Sequence, residues 1–359
     1  MKDNPVGFAL VGCGRIAQRY LELLGGGHIQ NARLVAVCDL KAERAEQAAK
    51  KTSVPSFTDM HEMMRIHRDS LDVVCVLTES GIHAQHVIAL APHGKTIIVE
   101  KPMALTLEDA QSMVLACDRA GIKLFVVKQN RYNLPVIKLR EALDSGRFGK
   151  IVMGTVRVRW CRKQSYYDQD TWRGTWAFDG GVFANQASHH IDLLMWMLGE
   201  PVSVFARTRK ALANIEAEDT GVAIITFRNG AIGVVEATTA TRPRDLEGSL
   251  SVLGENGSVE IGGFAVNRMK TWQFEQPVPE DEEIMSTFSE NPPNVYGFGH
   301  QRYLEGVVAA LRAGGPRLVD GIEGMRSLEL IIAMYESAIT GKEVPLRFRP
   351  EFSRLGERK

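Results

Sequence analysis

The 359-residue sequence predicts an α/β protein of two domains, a parallel, doubly wound sheet in residues 1–127 and an α+β domain with a largely antiparallel, open sheet in residues 128–359. Short apolar runs alternate with helical patterns in the first part. A glycine-rich turn follows the first apolar run. The later strands are longer and alternate between apolar and polar residues.

The first part has the order of a βαβ protein. The predicted strands are Phe8–Val11, Leu34–Cys38, Val73–Leu77, Thr96–Val99 and Leu124–Val127. Predicted helices follow Gly14, begin near Ala42, run through His86 to Leu90 and begin at Thr106. Strands covered by helices on both faces are expected to be almost wholly apolar, as these are.

The second part begins with Val152–Trp160, in which Val156 and Val158 face one side of the predicted sheet and Arg157 and Arg159 the other. Hairpin turns are predicted at Asn229-Gly230 and Asn256-Gly257. The predicted helices that cover this sheet are Phe183–Leu198, Arg302–Leu311 and Glu323–Ala338, and Glu275–Pro293 is expected to be a surface excursion.

Composition excludes several classes of protein. The chain is 45% hydrophobic and 24% charged, as expected for a globular protein, and its 43 basic and 43 acidic residues exclude nucleic-acid binding through a general positive charge. The five cysteines are scattered, which suits the cytoplasm, and no apolar run is long enough for a membrane span. Cysteine and histidine are not grouped at metal-ligand spacing, so no metal is expected.

The turn after the first strand, Gly12-Cys13-Gly14-Arg15-Ile16-Ala17, has the pattern G-x-G-x-x-A. The first glycine permits a tight turn, the second lets the backbone approach a pyrophosphate, and the small Ala17 allows close helix packing. Asp39 ends the second strand, where a carboxylate binds the adenosine ribose and disfavours NADP. The pattern predicts a Rossmann domain that binds NAD; the alternative role for Asp39 is a helix cap.

The motif Glu100-Lys101-Pro102, a charged pair followed by proline, follows the strand Thr96–Val99 at the edge where open α/β sheets bind ligands. With other motifs it resembles the glucose-fructose oxidoreductase and inositol dehydrogenase (Gfo/Idh/MocA) family. The remaining motifs that carry the resemblance are Gly12-x-Gly14-x-x-Ala17, Thr78-Glu79-Ser80-x-x-His83, Gln129-Asn130-Arg131, Trp172-Arg173, Gly180-Gly181 and His189-x-x-Asp192.

Segments 127–131, 164–168, 172–176, 185–189 and 295–300 resemble one branch of the family, the UDP-N-acetylglucosaminuronate 3-dehydrogenases of bacterial lipopolysaccharide O-antigen sugar synthesis. The resemblance implies a homotetramer that uses NAD to oxidise the C3 hydroxyl of the UDP-sugar to a ketone. Recycling of bound NADH by 2-oxoglutarate and release of NADH are both open. The alternatives are a dehydrogenase of a free sugar or inositol and a non-catalytic NAD-sensing module.

The resemblance implies a site built from both domains, in which Lys101 and His189 match the family's active-site lysine and histidine. The expected cofactor contacts are Gly12, Cys13, Gly14, Arg15, Ile16, Asp39, Thr78, Ser80, His83, Glu100, Lys101, Gln129, Asn130, Trp172 and Arg173. The expected substrate contacts are Lys101, Arg159, Gln164, Tyr166, Tyr167, Arg173, Asn185, His189 and Tyr296. For Arg159, a solvated sheet face or a subunit contact is an equal alternative.

Oxidation of a secondary alcohol needs a base for the hydroxyl proton and a group that stabilises the developing alkoxide. Histidine, with a pKa of about 6.5, is the easier base, because a lysine pKa must fall by about 3 pH units from ~10.4. The opposite assignment stays open because burial lowers a lysine pKa. Asn185, which cannot act as a base, stands where the family often has aspartate. Asp192 either holds the His189 imidazole or caps a buried pair.

Overall fold

The computed structural model describes residues 4–289, 297–312 and 318–346. The first domain contains six strands, which are β1 (Val6–Val11), β2 (Ala32–Cys38), β3 (Ser56–Phe57), β4 (Val73–Val76), β5 (Thr96–Val99) and β6 (Leu124–Val126). They form one parallel sheet in the order β3-β2-β1-β4-β5-β6. Its helices are α1 (Ala17–Tyr20), α2 (Ala42–Thr52), α3 (Met60–Ile66), α4 (His83–Leu90) and α5 (Leu107–Arg119). The strand order reverses beside β1, which creates the crevice in which doubly wound sheets bind ligands.

Burial and capping explain these elements. Every residue of β1 and of β4 is buried, as expected for strands covered on both faces. Helix α5 begins after Thr106, whose hydroxyl accepts a hydrogen bond from the Asp109 N–H at 3.1 Å. The parallel α/β prediction is therefore confirmed.

The second domain contains an eight-stranded, mostly antiparallel sheet in the order β13-β12-β11-β7-β10-β9-β8-β14. These strands are β7 (Ile151–Arg159), β8 (Pro201–Arg209), β9 (Thr220–Phe227), β10 (Ile232–Thr238), β11 (Glu247–Gly254), β12 (Gly257–Gly262), β13 (Arg268–Phe274) and β14 (Val344–Pro345). Val156 and Val158 are buried, and both predicted hairpins are present, β9–β10 around Asn229-Gly230 and β11–β12 around Asn256-Gly257. The predicted fold class is thus confirmed for this half as well.

The remaining helices are α6 (Leu134–Asp144), α7 (Gln164–Tyr167), α8 (Ser188–Leu198), α9 (Asp281–Thr287), α10 (Gly299–Arg312) and α11 (Gly321–Thr340). Helix α8 covers the second sheet, and a separate π-helical turn, Val182–Gln186, precedes it in place of one continuous helix. Helix α9 lies in the predicted surface excursion, of which residues 290–293 lie outside the described residues. None of the helices in the described ranges is long and apolar enough to cross a membrane.

Helix α10, predicted to cover the second sheet, instead packs on the first domain. Its Tyr303, Leu304 and Val307 share a hydrophobic core with Phe8 and Leu10 of β1. Helix α11 contributes Leu328 to the other side of the same sheet and Leu330, Ile331 and Met334 to the second-domain core. The two domains are therefore joined by shared helices, which hold the carboxyl edge of the first sheet against the start of α8.

Candidate active site

The turn after β1 has the geometry of a phosphate cradle. Gly12 has a φ of +97°, and a Cβ at this position would lie 2.8 Å from the Leu77 carbonyl carbon. A Cβ at Gly14 would have no atom within 4 Å, so open space lies beside the backbone. The N–H groups of Gly14, Arg15 and Ile16 donate to no acceptor in the described part of the chain. Unpaired donors beside open space fit the pyrophosphate of a dinucleotide.

Asp39 lies at the end of β2, beside this turn. One carboxylate oxygen accepts the Cys13 N–H at 2.8 Å and the other accepts the Lys41 N–H at 2.8 Å. Each oxygen keeps a lone pair for a ribose hydroxyl. The side chain is half-buried, and it holds the glycine turn in place while remaining accessible.

The loops after β4 and β5 are tied together. The His83 ring lies between two carbonyl oxygens, 2.9 Å from that of Pro102 and 2.9 Å from that of Thr78. Burial lowers the pKa of His83, and the two carbonyl oxygens act against this. The neutral ring donates its single N–H to one of these carbonyl oxygens and packs against the other, so it lies between the two loops. The Ser80–Ile82 turn lies next to this link.

A second-domain loop, residues 168–181, packs against the same edge of the first sheet. The Gly81 N–H donates to the Phe178 carbonyl oxygen at 3.2 Å, and a Cβ at Gly81 would lie 2.1 Å from the Ala177 carbonyl oxygen. In this loop the Arg173 guanidinium donates to the Tyr166 hydroxyl at 2.9 Å and stacks on the rings of Tyr166 and Trp172, at 4.7 and 4.8 Å. Trp172 and Arg173 thus belong to a loop that contacts the first domain at Gly81.

Glu100 is a buried carboxylate behind the site. Its side chain accepts the Tyr20 hydroxyl at 3.0 Å and the Lys101 N–H at 3.1 Å, and it lies 3.3 Å from His300 Nε2. Burial acts to raise the pKa of Glu100, but the hydrogen bond and charge of His300 and the contacts of Lys101 hold it below its ordinary value. Glu100 is therefore ionised and fixes the backbone from which Lys101 extends.

Lys101 reaches from the first domain to the π-helical turn of the second. Its Nζ donates to the Asn185 backbone oxygen at 2.8 Å and lies 3.5 Å from the Asn185 side-chain oxygen. Burial lowers the pKa of Lys101 from its ordinary value, and the charge of Lys128 adds to this, against the opposing charges of Glu100 and Asp179.

His189 lies on α8, four residues after Asn185. Its two ring nitrogens are buried and have no hydrogen-bond partner among the described residues. Burial, with the charges of Lys101 and Lys128, holds the pKa of His189 well below its ordinary value. The imidazole is thus neutral, and both its N–H group and its lone pair are available to a ligand.

Asp192 does not hold that imidazole. Its carboxylate accepts two hydrogen bonds from Arg131, at 2.8 and 3.0 Å, and lies 3.4 Å from Lys128 Nζ. Of the two roles open for Asp192, capping a buried pair is the one that the structure shows. Arg131 and Lys128 follow β6, so this network also ties the first sheet to α8 and α11.

Three predicted substrate contacts are bonded to other side chains or backbone groups, and a fourth is not described. Arg159 lies on the sheet face opposite Val158 and pairs with Glu236 and Glu247, at 2.6 and 2.9 Å, as its sheet-face alternative implies. Gln164 is exposed and is hydrogen-bonded to Asp168 and Asn214. Tyr167 is buried, and its hydroxyl lies 2.9 Å from the Thr239 hydroxyl. Tyr296 lies outside the described residues.

Gln129 and Asn130 are buried in the turn that follows β6, and the Gln129 side-chain oxygen has no partner in the described part of the chain.

Among the described residues, no group of three or more histidine, cysteine, aspartate or glutamate side chains is arranged to hold a metal ion.

Two buried carboxyl groups behind the π-helical turn were not predicted from the sequence. Asp179 accepts the Gly174 N–H at 2.7 Å and a hydrogen bond from the Asn185 amide. Glu218 accepts the Phe183 N–H at 3.0 Å and the Tyr335 hydroxyl at 2.9 Å, and burial raises the pKa of Glu218 to about 7. The Gly180-Gly181 motif beside Asp179 was the available signal, because a Cβ at Gly181 would lie 2.0 Å from Glu218.

A Rossmann crevice, a phosphate cradle, and a lysine of one domain whose charge acts on a neutral histidine of the other define an NAD-dependent oxidoreductase. Residues 6–128 match the family described as "Oxidoreductase family, NAD-binding Rossmann fold", and residues 140–346 match "Oxidoreductase family, C-terminal alpha/beta domain". The chain belongs to this Gfo/Idh/MocA family and is an NAD-dependent dehydrogenase that acts on a CH–OH group.

Similar proteins span nearly the whole chain. The WlbA dehydrogenase of Bordetella pertussis, solved with NADH and UDP-GlcNAcA, is 42% identical with a TM-score of 0.90 and covers 97% of this chain and 100% of its own. The WlbA dehydrogenase of Chromobacterium violaceum, solved with the same two ligands, is also 42% identical with a TM-score of 0.90 and covers 97% of this chain and 98% of its own. The D-apiose dehydrogenase of Paraburkholderia graminis is 26% identical and covers 94% of this chain and 89% of its own length.

Proposed function

We propose that the protein oxidises the C3 hydroxyl of UDP-N-acetylglucosaminuronate to the 3-keto sugar with NAD. The substrate class is supported by the 42% identity to two dehydrogenases solved with NADH and UDP-GlcNAcA. The observation that carries the reaction is His189, a buried imidazole with both nitrogens unpaired within the described residues and under the charge of Lys101 from the other domain. Such a group fits a ligand hydroxyl better than it fits an apolar core.

NAD, when bound, accepts the hydride from the carbinol carbon. We assign the hydroxyl proton to Lys101 Nζ, because burial lowers the pKa of this amine, and a lysine needs a lowered pKa to act as a general base. The same burial holds the pKa of His189 too low for it to retain a proton. We assign the His189 ring N–H to the same substrate oxygen as a hydrogen-bond donor that stabilises the developing alkoxide.

The anionic part of the substrate needs cations and hydrogen-bond donors. We assign it to Arg173, whose guanidinium is held by Asp170 at 2.9 Å and stacked between Tyr166 and Trp172. A planar cation held in this way loses little conformational freedom when it binds a carboxylate or phosphate. Tyr296 stays a predicted contact.

The wider expectations are part of this proposal. We place the reaction in lipopolysaccharide O-antigen sugar synthesis in the cytoplasm, in a homotetramer. For the fate of NADH, recycling by 2-oxoglutarate and release into solution are distinguished by adding 2-oxoglutarate to the assay and measuring 2-hydroxyglutarate.

The proposal is tested by incubating the protein with NAD and UDP-N-acetylglucosaminuronate, and in parallel with myo-inositol, D-apiose and free N-acetylglucosamine. We expect NADH and a 3-keto sugar with the UDP-sugar acid alone.

A second candidate, a dehydrogenase of a free sugar or inositol, has the support of relatives such as the myo-inositol 2-dehydrogenase of Thermotoga maritima, 26% identical over 94% of this chain and 97% of its own length. Turnover of those alcohols alone would favour it. Tight NAD binding with no turnover would favour an NAD-sensing module.

A further inference from the structure

We propose that Asp179 is a positioning residue for the reaction, because its carboxylate holds the Asn185 amide in the orientation that turns the amide oxygen towards the Lys101 amine. The inference rests on the proposed function only in that Lys101 is the group that exchanges a proton with the substrate. Asp179 has no hydrogen bond to Lys101 or to the cofactor turn; it acts on Lys101 through its hydrogen bond to Asn185 and through its negative charge, which raises the pKa of Lys101.

Asp179 is held where it can do this. The residue is 1% exposed, and one carboxylate oxygen accepts the Gly174 N–H at 2.7 Å. The other oxygen accepts the Asn185 Nδ2 group. The backbone N–H of Asp179 donates to the Thr175 backbone oxygen at 3.2 Å, so the loop holds both the main chain and the side chain of Asp179.

The chemistry of the pair determines which way the amide points. Burial raises the pKa of Asp179, and the hydrogen bonds from Gly174 and Asn185 and the charge of Lys101 act against this. As a carboxylate Asp179 can only accept, so the Asn185 end that faces it is the NH₂ group. The amide oxygen then points to the opposite side, where Lys101 Nζ lies at 3.5 Å, in addition to its 2.8 Å bond to the Asn185 backbone oxygen. Two oxygens of one residue thus receive two of the amine hydrogens. In the neutral amine this leaves the lone pair for the substrate hydroxyl.

Removing the negative charge of Asp179 should lower the pKa of Lys101. The charged and titratable groups that act on Lys101 are Glu100 and Asp179, which raise its pKa, and Lys128, which lowers it; His189 and His190 also face it. Asp179→Asn removes one of the two negative charges and lets the Asn185 amide turn either way. The exchange variant Asp179→Asn/Asn185→Asp keeps a hydrogen bond between the two positions but brings the carboxylate next to Lys101.

The test measures the titration of Lys101 directly. The unliganded protein is acetylated with a trace of acetic anhydride over a series of pH values, and the labelling of Lys101 is quantified by mass spectrometry. We expect the midpoint to fall by about one pH unit in Asp179→Asn and to rise above the wild-type midpoint in the exchange variant. In turnover assays we expect Asp179→Asn to lower kcat by at least about tenfold with little change in NAD affinity, and the pH limb of kcat to move with the labelling midpoint.

Asp219→Asn is the matched control. Asp219 is also 1% exposed and accepts three backbone N–H groups, from residues 211, 212 and 213, but it is absent from the groups that act on Lys101. We expect this variant to lose thermal stability and to keep the wild-type Lys101 midpoint. The proposal is overturned if Asp179→Asn also keeps that midpoint, or if the two variants of the 179–185 pair shift it in the same direction.

The two proposals fail separately. If the wild-type protein oxidises no UDP-sugar acid, the proposed function is wrong, while the labelling midpoints still decide whether Asp179 acts on Lys101. If Asp179→Asn does not fold, the exchange variant, in which the hydrogen bond is restored, provides the comparison with the wild type: an unchanged or lower midpoint in it overturns the proposal.

Discussion

Alanine at Gly12 and at Gly14 is expected to have two different effects, although both glycines belong to the same turn. At Gly12 the new Cβ would lie 2.8–2.9 Å from backbone atoms of Leu77 and Thr78, and the φ of +97° disfavours any L-residue. The positive φ costs about 1–2 kcal/mol, and the overpacking adds about 1–3 kcal/mol. We therefore expect Gly12→Ala to lose about 2–5 kcal/mol of stability and to bind NAD poorly.

At Gly14 the Cβ has no neighbour within 4 Å in the unliganded protein, and the φ is not positive. Gly14→Ala should therefore keep the wild-type melting temperature to within about 2 °C, since unstrained substitutions of this kind change stability little. It should nevertheless weaken NAD binding by at least about tenfold, or about 1.4 kcal/mol, because the methyl group occupies the space for the pyrophosphate.

The assays for this pair are thermal unfolding without ligand and calorimetric titration with NAD. Wild-type NAD affinity in Gly14→Ala would show that the backbone does not approach the pyrophosphate at this residue. A wild-type melting temperature in Gly12→Ala would show that the close contact with the end of β4 is not rigid. Either result would refute the account of the cofactor crevice.

Three further substitutions test the site and its surroundings. Asp39→Ala should raise the affinity for NADP relative to NAD in parallel titrations, because the carboxylate that repels the extra phosphate is lost; an unchanged ratio would refute the ribose assignment. Lys101→Ala should reduce kcat by about 10²–10⁴-fold with near wild-type NAD affinity, and an equal loss of NAD binding would contradict its role as a base. Because the pKa of Glu218 is raised to about 7 in the folded protein, from 4.5, its contribution to stability is full below about pH 4.5 and is lost as the pH rises through 7. Between pH 4.5 and 7 the unfolding free energy of the wild type should therefore fall by about 3 kcal/mol more than that of Glu218→Gln, as measured by urea unfolding at each pH. An equal fall in both proteins would show that Glu218 is not the titrating group.

Much of the fold could be predicted because it is encoded in local patterns. The apolar runs that became β1 and β4, the helix entered at Thr106 and the two Asn-Gly hairpins each depend on a few neighbouring residues. The glycine turn and Asp39 were likewise predictable, because both follow directly from a strand end.

The parts that could not be predicted depend on contacts between distant residues. The predicted helix Phe183–Leu198 is divided at Ala187, and the π-helical turn before it is held by Glu218, 35 positions away, which accepts the Phe183 N–H. Asp192 pairs with Arg131, 61 positions away, and no local pattern shows that this partner is nearer than His189. Arg159 was a plausible anion ligand by composition, but strand pairing places it directly opposite Glu247 and diagonal to Glu236, and it pairs with both.

The two carboxyl groups behind the π-helical turn illustrate the same limit at the site itself. Asp179 and Glu218 have no sequence pattern of their own, and their importance follows from burial and from what they hold. The resemblance to the family supplied Lys101 and His189, while the structure supplied the residues around them that set their orientation and their pKa.

The central claim is that Lys101 from the first domain and His189 from the second act on one substrate hydroxyl. A crystal structure of the protein with NADH and UDP-N-acetylglucosaminuronate tests this directly, through the distances from Lys101 Nζ and from the nearer His189 ring nitrogen to the C3 oxygen. We predict that both distances are within about 3.2 Å. A C3 oxygen that lies beyond about 4 Å from either nitrogen, or a different sugar hydroxyl between them, would contradict the account.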